Sequence, residues 1–188
     1  MTLRIVFLLL STILVCDISL AASAYQTPAA FLAESFSGKV PEPGIIWLSG
    51  TRKDTAKKIL GHRYHALRVR YWRKHQRSAW ILEETGKEQP ITAGLIVNNS
   101  RLERIKVLVY RESRGWEVRY PFFTDQFKGI QLDKTGNLDR HIDGISGATL
   151  SVRALKKLAA LALYLDAEVR AVHKLPGSGR LRNVSPSP

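Results

Sequence analysis

The chain has 188 residues, a formal net charge of +13 and a single cysteine, Cys16. This length is sufficient for one compact domain with a hydrophobic core and too short to divide comfortably into two. Because the only cysteine lies near the start, we expect the rest of the chain to have no disulfide-linked partner, no thiolate metal ligand and no cysteine nucleophile.

The first segment, residues 1–24, is typical of a secretory signal peptide. Arg4 precedes an apolar stretch, and the small residues Ala22, Ser23 and Ala24 resemble a cleavage site. The apolar stretch is shorter than the roughly 20 residues that span a bilayer. Lipidation of Cys16 is the alternative, although the bulky Val15 precedes that cysteine where a small residue is wanted. We therefore expect a periplasmic domain over residues 25–175.

The positive charge predicts an anionic partner. Basic residues alternate with aromatic ones over residues 62–77, which in a cytoplasmic protein would favour nucleic-acid binding. For an exported chain we expect no nucleic acid and instead an anionic membrane surface or an acidic partner. We interpret this stretch as a β-hairpin with one solvated basic face and one buried aromatic face.

The first half of the chain predicts two helices and a hairpin. Thr27-Pro28 is an N-cap followed by a favourable first residue for a helix over 29–36. The prolines in residues 41–44 indicate a break in the chain. A second helix is expected over 54–60, ended by Gly61, and two strands are expected within residues 66–84.

The second half predicts a clearer strand pair and a long helix. Residues 91–97 and 102–110 alternate apolar and polar side chains around a turn at 98–101, with Leu95, Val107 and Val109 expected to point inward. Residues 121–129 suggest a short helical turn, residues 133–139 a polar loop, residues 151–172 an amphipathic helix and residues 176–188 a disordered tail. The fold class is α+β, an antiparallel sheet packed against helices.

Directly before the long helix, residues 143–149 read D-G-I-S-G-A-T. The glycines at 144 and 147 permit close approach of a bulky group to the backbone. Thr149 is expected at or near the helix N-cap, where free amides and the helix dipole favour a phosphate. The alternative is an ordinary capped turn. No catalytic or metal-binding arrangement is predicted, since the histidines lack ligand spacing and Ser146 lacks the nucleophile-elbow context.

The segment D-G-I-S-G-A-T resembles the flavinylation motif of the FMN-binding domain family, which includes the C subunit of sodium-translocating NADH:quinone oxidoreductase. The strands at 94–97 and 105–110 and the loop from Glu112 to Trp116 extend the resemblance over roughly residues 90–165. Arg114 stands where these oxidoreductase subunits often have proline. The resemblance implies FMN bound covalently through a phosphoester on Thr149. The residues it places at the cofactor are Thr149, Ala148, Gly147, Ser146, Asp143, Glu112, Ser113 and Trp116.

The resemblance also implies an electron carrier rather than a stand-alone enzyme. A FAD-dependent FMN transferase would attach the flavin, and a membrane-bound electron donor or acceptor would exchange electrons with it. Arg114, His141 or Arg153 would stabilise the reduced, anionic flavin. Among Trp116, Tyr120, Phe122 and Phe123, at least two are expected to be core residues, and Trp116 is the best candidate for contact with the ring. The alternative function is a non-redox basic binding module that docks on a membrane complex or an anionic polymer.

Overall fold

A six-stranded antiparallel sheet, with helices on both faces, organises the computed structural model, which describes residues 23–174. The rest of the predicted signal peptide and the predicted tail lie outside the described residues. The strands are β1 (Ser23–Ala24), β2 (Pro43–Trp47), β3 (Arg68–Lys74), β4 (Arg77–Thr85), β5 (Pro90–Asn98) and β6 (Arg101–Tyr110), in the spatial order β1-β6-β5-β4-β3-β2. The helices are α1 (Pro28–Ser35), α2 (Gly50–Leu60), α3 (Pro121–Thr124) and α4 (Thr149–Lys174). The α+β prediction with a long final helix is confirmed.

The first two helices form largely where the sequence predicts them. The Thr27 hydroxyl accepts a hydrogen bond from the amide of Ala30 at 3.1 Å and caps α1. Helix α2 begins at Gly50, four residues before its predicted start, and ends at Gly61, whose φ of 79° suits glycine. The predicted break at residues 41–44 is wrong in part, because Pro43 begins the edge strand β2. An edge position tolerates proline, which has no amide proton to donate.

The two strands expected within residues 66–84 form the basic hairpin, β3 and β4, which reverses at residues 75–76. Its aromatic side chains, however, occupy both faces. Tyr71 stacks on the buried Trp80 with ring centroids 5.4 Å apart, whereas Trp72 packs against the cluster on the other face. The expected division into one basic and one aromatic face is therefore wrong. Successive side chains of a strand alternate between faces, so two neighbouring aromatic residues cannot share one.

A β-bulge interrupts the regular pairing of the two central strands, β5 and β6. Thr92 pairs with Val109 and Ala93 with Val107, so three residues of β6 lie opposite two of β5. Leu108 and Val109 consequently both pack on the α1 side, and Tyr110 turns to the other side and becomes buried. Leu95 and Val107 point into the main core as predicted, but Val109 is half-buried on the opposite face.

The main core lies between the sheet and α4, with α2 packed beside α4. A smaller cluster on the other face is built around Phe31 of α1. The segment between β6 and α4 adds short helical turns that bury Phe123 and Phe127 and a polar loop in which the Asp133 carboxylate accepts amides of the loop. Among residues 23–174, no helix combines the length and apolar character required to cross a bilayer.

Candidate functional site

The motif at residues 143–149 forms a tight turn that leads directly into α4. The amide of Ala148 donates to the carbonyl of Ile145 at 3.0 Å, and Gly147 adopts a φ of 79°. No atom lies within 4 Å of the position that a side chain would take at Gly147, so the space above the turn is open. Ala148 is buried against the core. The turn therefore presents an open backbone surface on one side and is anchored by a small buried side chain on the other.

The three hydroxyl groups near the motif have different environments. Thr149 is the first residue of α4 and is exposed, as is Ser146 in the turn. Ser151 is buried, and its hydroxyl lies 2.8 Å from the hydroxyl of Tyr110. The first ladder bond of α4 runs from the amide of Val152 to the carbonyl of Ala148 at 2.9 Å. The amides of Thr149 to Ser151 precede that bond, so the helix itself does not use them.

Tyr110 joins the loop after β6 to the start of α4. Its hydroxyl donates to the carbonyl of Arg114 at 2.5 Å, and the Ser151 hydroxyl donates to Tyr110 in turn. Burial raises the pKa of Tyr110, so the phenol keeps its proton as donor. Sequence reasoning did not select Tyr110. Only the bulge in β6 turns this residue toward α4, and the strand pattern gives no sign of the bulge.

Gly115 brings the same loop into contact with the motif. Its φ is 81°, and a side-chain carbon there would lie 2.9 Å from the Tyr110 hydroxyl and 3.1 Å from the Cβ of Ala148. The loop backbone thus packs directly on the motif. The structure therefore unites two segments that the sequence places more than thirty residues apart, roughly as the resemblance implies.

Glu112, a predicted cofactor residue, has a structural partner. Its Oε1 accepts the amides of Lys87, Glu88 and Gln89 at 2.5, 2.7 and 3.0 Å and so closes the β4–β5 loop. Burial alone would raise the pKa of Glu112, but the three amide donors outweigh burial and hold it below its ordinary value. Ser113 beside it is exposed. The structure gives this carboxylate a role in loop geometry whether or not it also contacts a ligand.

The aromatic candidates differ in exposure. Trp116 and Tyr120 are both exposed and meet edge to face at 5.7 Å, and the guanidinium of Arg119 lies over both rings. Phe122 is also exposed, whereas Phe123 is fully buried in the core. The expectation that at least two of these four aromatic residues are core residues is therefore wrong. Because Trp116 directly follows Gly115, this aromatic surface continues from the loop that packs on the motif.

Thr149 also lines an open groove of about 930 Å³ between α2, α4 and residues 132–144. Basic residues from all three elements line it with Thr149, and none of the described lining residues is acidic. The basic residues are Lys58, Arg140, His141, Arg153, Lys156 and Lys157. Lys157 lies 3.1 Å from the buried Glu84, which also binds His62. His141 and Arg153 are thus placed near Thr149 as expected, whereas Arg114 does not line the groove.

The comparison with protein families matches the part of the chain that contains the motif and the loop packed on it. The model of the FMN-binding domain matches residues 86–164, which include β5, β6, the 111–120 loop, the motif and the first half of α4. Residues 86–164 therefore resemble an FMN-binding domain. The family resemblance is confirmed, close to the predicted limits of residues 90–165, and it supports FMN as the ligand.

Two solved structures are similar to this chain to different degrees. The crystal structure of NqrC from Shewanella oneidensis is 16% identical, has a TM-score of 0.53, and matches over 73% of this chain and 88% of that chain. The C subunit of the Na(+)-translocating NADH-quinone reductase from Parabacteroides distasonis is 18% identical with a TM-score of 0.46, over 73% and 82% of the two chains. The first match shows a shared fold. Comparison with curated proteins gives no significant match.

Proposed function

We propose that this protein is a periplasmic electron carrier that holds FMN covalently through a phosphoester on Thr149. The observation that carries the proposal is the position of Thr149 within the FMN-binding domain. Its exposed hydroxyl stands at the start of a long helix and borders a groove without acidic lining residues. The electrons would pass between a membrane-bound donor and a separate acceptor.

The residues around Thr149 suit an FMN phosphate. The free amides at the start of α4 and the positive end of its dipole favour an anion beside the Thr149 oxygen. Arg153 and Lys156, one and two turns further along α4, line the same groove and add positive charge. The groove volume of about 930 Å³ is at the upper end of the roughly 300–1,000 Å³ typical of small-ligand sites. FMN, when bound, supplies the redox chemistry.

The environment of each hydroxyl favours Thr149 as the attachment point. A transferase needs an accessible oxygen, and the buried Ser151 hydroxyl already interacts with Tyr110. Ser146 is accessible, but it lies in the turn before the helix rather than at the first helical residue. Attachment would form a bond between Thr149 Oγ1 and the flavin-side phosphorus of FAD, release AMP and remove the threonine proton.

The proposal also includes the location of the protein and its partners. The signal-like N-terminus supports a periplasmic location, where a lost FMN could not readily be replaced, so a covalent bond has an evident use. The net charge of +13 favours approach to anionic membranes and acidic partners. The proposed partners are a FAD-dependent FMN transferase and a membrane-bound redox protein.

Three substitutions of one residue test the proposal. We expect Thr149→Ala and Thr149→Val, produced together with the transferase, to be colourless and to lack the mass of FMN less one water. Thr149→Ser should retain part of the flavin, because it keeps the hydroxyl in the same place. Ser146→Ala is the matched control and should be fully flavinylated.

The measurement is intact mass together with visible absorbance. Covalent flavin on Thr149→Ala would refute attachment at this residue. A colourless parent protein would favour the non-redox binding module instead.

A further inference from the structure

The sheet face that carries α1 is only partly covered. Helix α1 packs over β4, β5 and β6, and Trp72 is the residue of β3 that joins the α1 cluster. Beyond Trp72, the same face of β2 and β3 carries two large apolar side chains with high exposure: Ile45 is 48% exposed and Trp47 44%. Isolated exposed apolar residues are ordinary, but adjacent ones on one surface are characteristic of binding sites.

Strand pairing places arginines among these apolar side chains. Ile45 lies opposite Arg70 and Trp47 lies opposite Arg68 in the antiparallel ladder. Directly paired residues share a face with side chains about 5 Å apart. We call Ile45, Trp47, Arg68 and Arg70 the β2–β3 patch.

The charges of the β2–β3 patch are uncompensated within the described part of the chain. On the portion of this face near α1, Arg104 and Lys106 pair with Glu34, and Arg77 pairs with Glu103. No described acidic side chain forms an ion pair with Arg68 or Arg70. In the segments 40–49 and 61–75, which contain both strands, Glu42 is the single acidic residue. A cationic surface of this kind complements an extended anionic one.

We propose that the β2–β3 patch docks the protein on the surface of an anionic phospholipid bilayer. The tryptophan and isoleucine side chains enter the boundary between headgroups and acyl chains, and the arginines bind the lipid phosphates. Because each Arg is directly paired with an apolar residue, both interactions are made by one surface. An acidic protein would satisfy the arginines but would leave Ile45 and Trp47 without a defined partner.

Docking in this way leaves the candidate flavin site accessible. Helix α4, which begins at Thr149, packs on the other face of the sheet from the β2–β3 patch. A protein held on the bilayer by this patch therefore keeps the groove at Thr149 directed away from the lipid. The inference itself does not depend on flavin attachment.

Vesicle binding by the full exported protein tests the proposal. We expect the parent protein to bind phosphatidylcholine vesicles that contain phosphatidylglycerol and to bind pure phosphatidylcholine weakly. Arg68→Gln with Arg70→Gln should weaken binding roughly thirtyfold. Ile45→Ala with Trp47→Ala should weaken it on the order of tenfold. All variants share one N-terminus, so differences in binding come from the substituted side chains.

Matched controls distinguish the effect of the patch from the effects of net charge and of exposed aromatic residues elsewhere on the protein. Lys57→Gln with Lys134→Gln removes the same number of charges elsewhere, and Phe122→Ala removes an exposed aromatic residue elsewhere. Both controls, and Thr149→Ala, should bind as the parent does. Brominated lipid chains should quench the parent's fluorescence, and Trp47→Phe should lose most of that quenching.

Four results would overturn the proposal. They are equal losses in the two charge variants, unchanged binding by the Ile45 and Trp47 variant, no preference for anionic vesicles, and a change of oligomeric state in the patch variants without a change in vesicle binding. The last would identify β2 as an edge for pairing with a second copy.

Discussion

The two sides of Thr149 differ in their physical character. On one side, the loop from Arg114 to Trp116 packs on Ala148 so closely that no side chain fits at Gly115, and the Tyr110 hydroxyl fixes the loop. On the other side, an open basic groove has no acidic lining residue among those described. The packed side determines where the hydroxyl lies, and the open side determines the electrostatic potential around it. Substitutions on the first should change stability, and those on the second should change ligand properties.

The largest expected effect is from Gly115→Ala. The added carbon would strain a backbone with φ of 81° and would lie 2.9 Å from the Tyr110 hydroxyl. We expect a loss of roughly 2–4 kcal/mol in the free energy of unfolding, measured by denaturant titration. Gly38→Ala is the matched control, because its φ is 78° and no atom lies within 4 Å. Equal losses in the two variants would mean that packing on the motif contributes nothing.

Tyr110→Phe should have the next largest effect. It removes the hydroxyl that joins Arg114 to Ser151 and leaves a buried hydroxyl without this partner. We expect a loss of about 1–2 kcal/mol in the free energy of unfolding and a lower yield of flavinylation. Tyr64→Phe is the control, since the Tyr64 hydroxyl accepts a single long hydrogen bond of 3.3 Å. A stable, fully flavinylated Tyr110→Phe variant would contradict the role of this residue.

Glu112→Gln should show a smaller effect that depends on pH. Because the folded-state pKa of Glu112 is lowered, its carboxylate stabilises the fold above the unfolded pKa, and this contribution is lost as pH falls through the folded value. The parent should therefore be more stable than the variant at neutral pH, and the difference should shrink in acid. Glu88→Gln, in an exposed surface pair, is the control. The same pH profile for parent and Glu112→Gln would exclude the charge effect.

The smallest effect on stability is expected in the groove. Arg153→Gln with Lys156→Gln should change the free energy of unfolding by less than about 0.5 kcal/mol, because these side chains border an open surface. In flavin-loaded protein the same variant should have a more negative midpoint potential, since fewer cations remain near the reduced form. Arg68→Gln with Arg70→Gln should leave the potential unchanged. A shift of equal size in both would mean that only net charge matters.

The sequence predicts the local features of this fold better than the long-range contacts. Thr27, Gly61 and the turn at residues 98–101 carry signals in their immediate neighbours, and the elements they bound form as expected. Strand β2 is missed because the prolines at 41 and 43 indicate a break, and only its place at the sheet edge accommodates Pro43.

In the candidate site, too, the sequence predicts the local features better than the long-range contacts. The threonine at the start of the long helix can be predicted from residues 143–149 and from the family they resemble. The contact of Tyr110 with Ser151 spans 41 residues and depends on a bulge, and the Glu112 interactions span 23 to 25 residues. The basic groove combines residues of α2, α4 and the 132–144 segment, so no single stretch of sequence contains it.

Peptide mass analysis of the exported protein, produced with the transferase, tests the central claim most directly. The account predicts that the peptide containing Thr149 carries FMN less one water and that fragment ions place the added mass on Thr149 itself. An unmodified Thr149 peptide, or flavin attached at any other residue, would contradict the account.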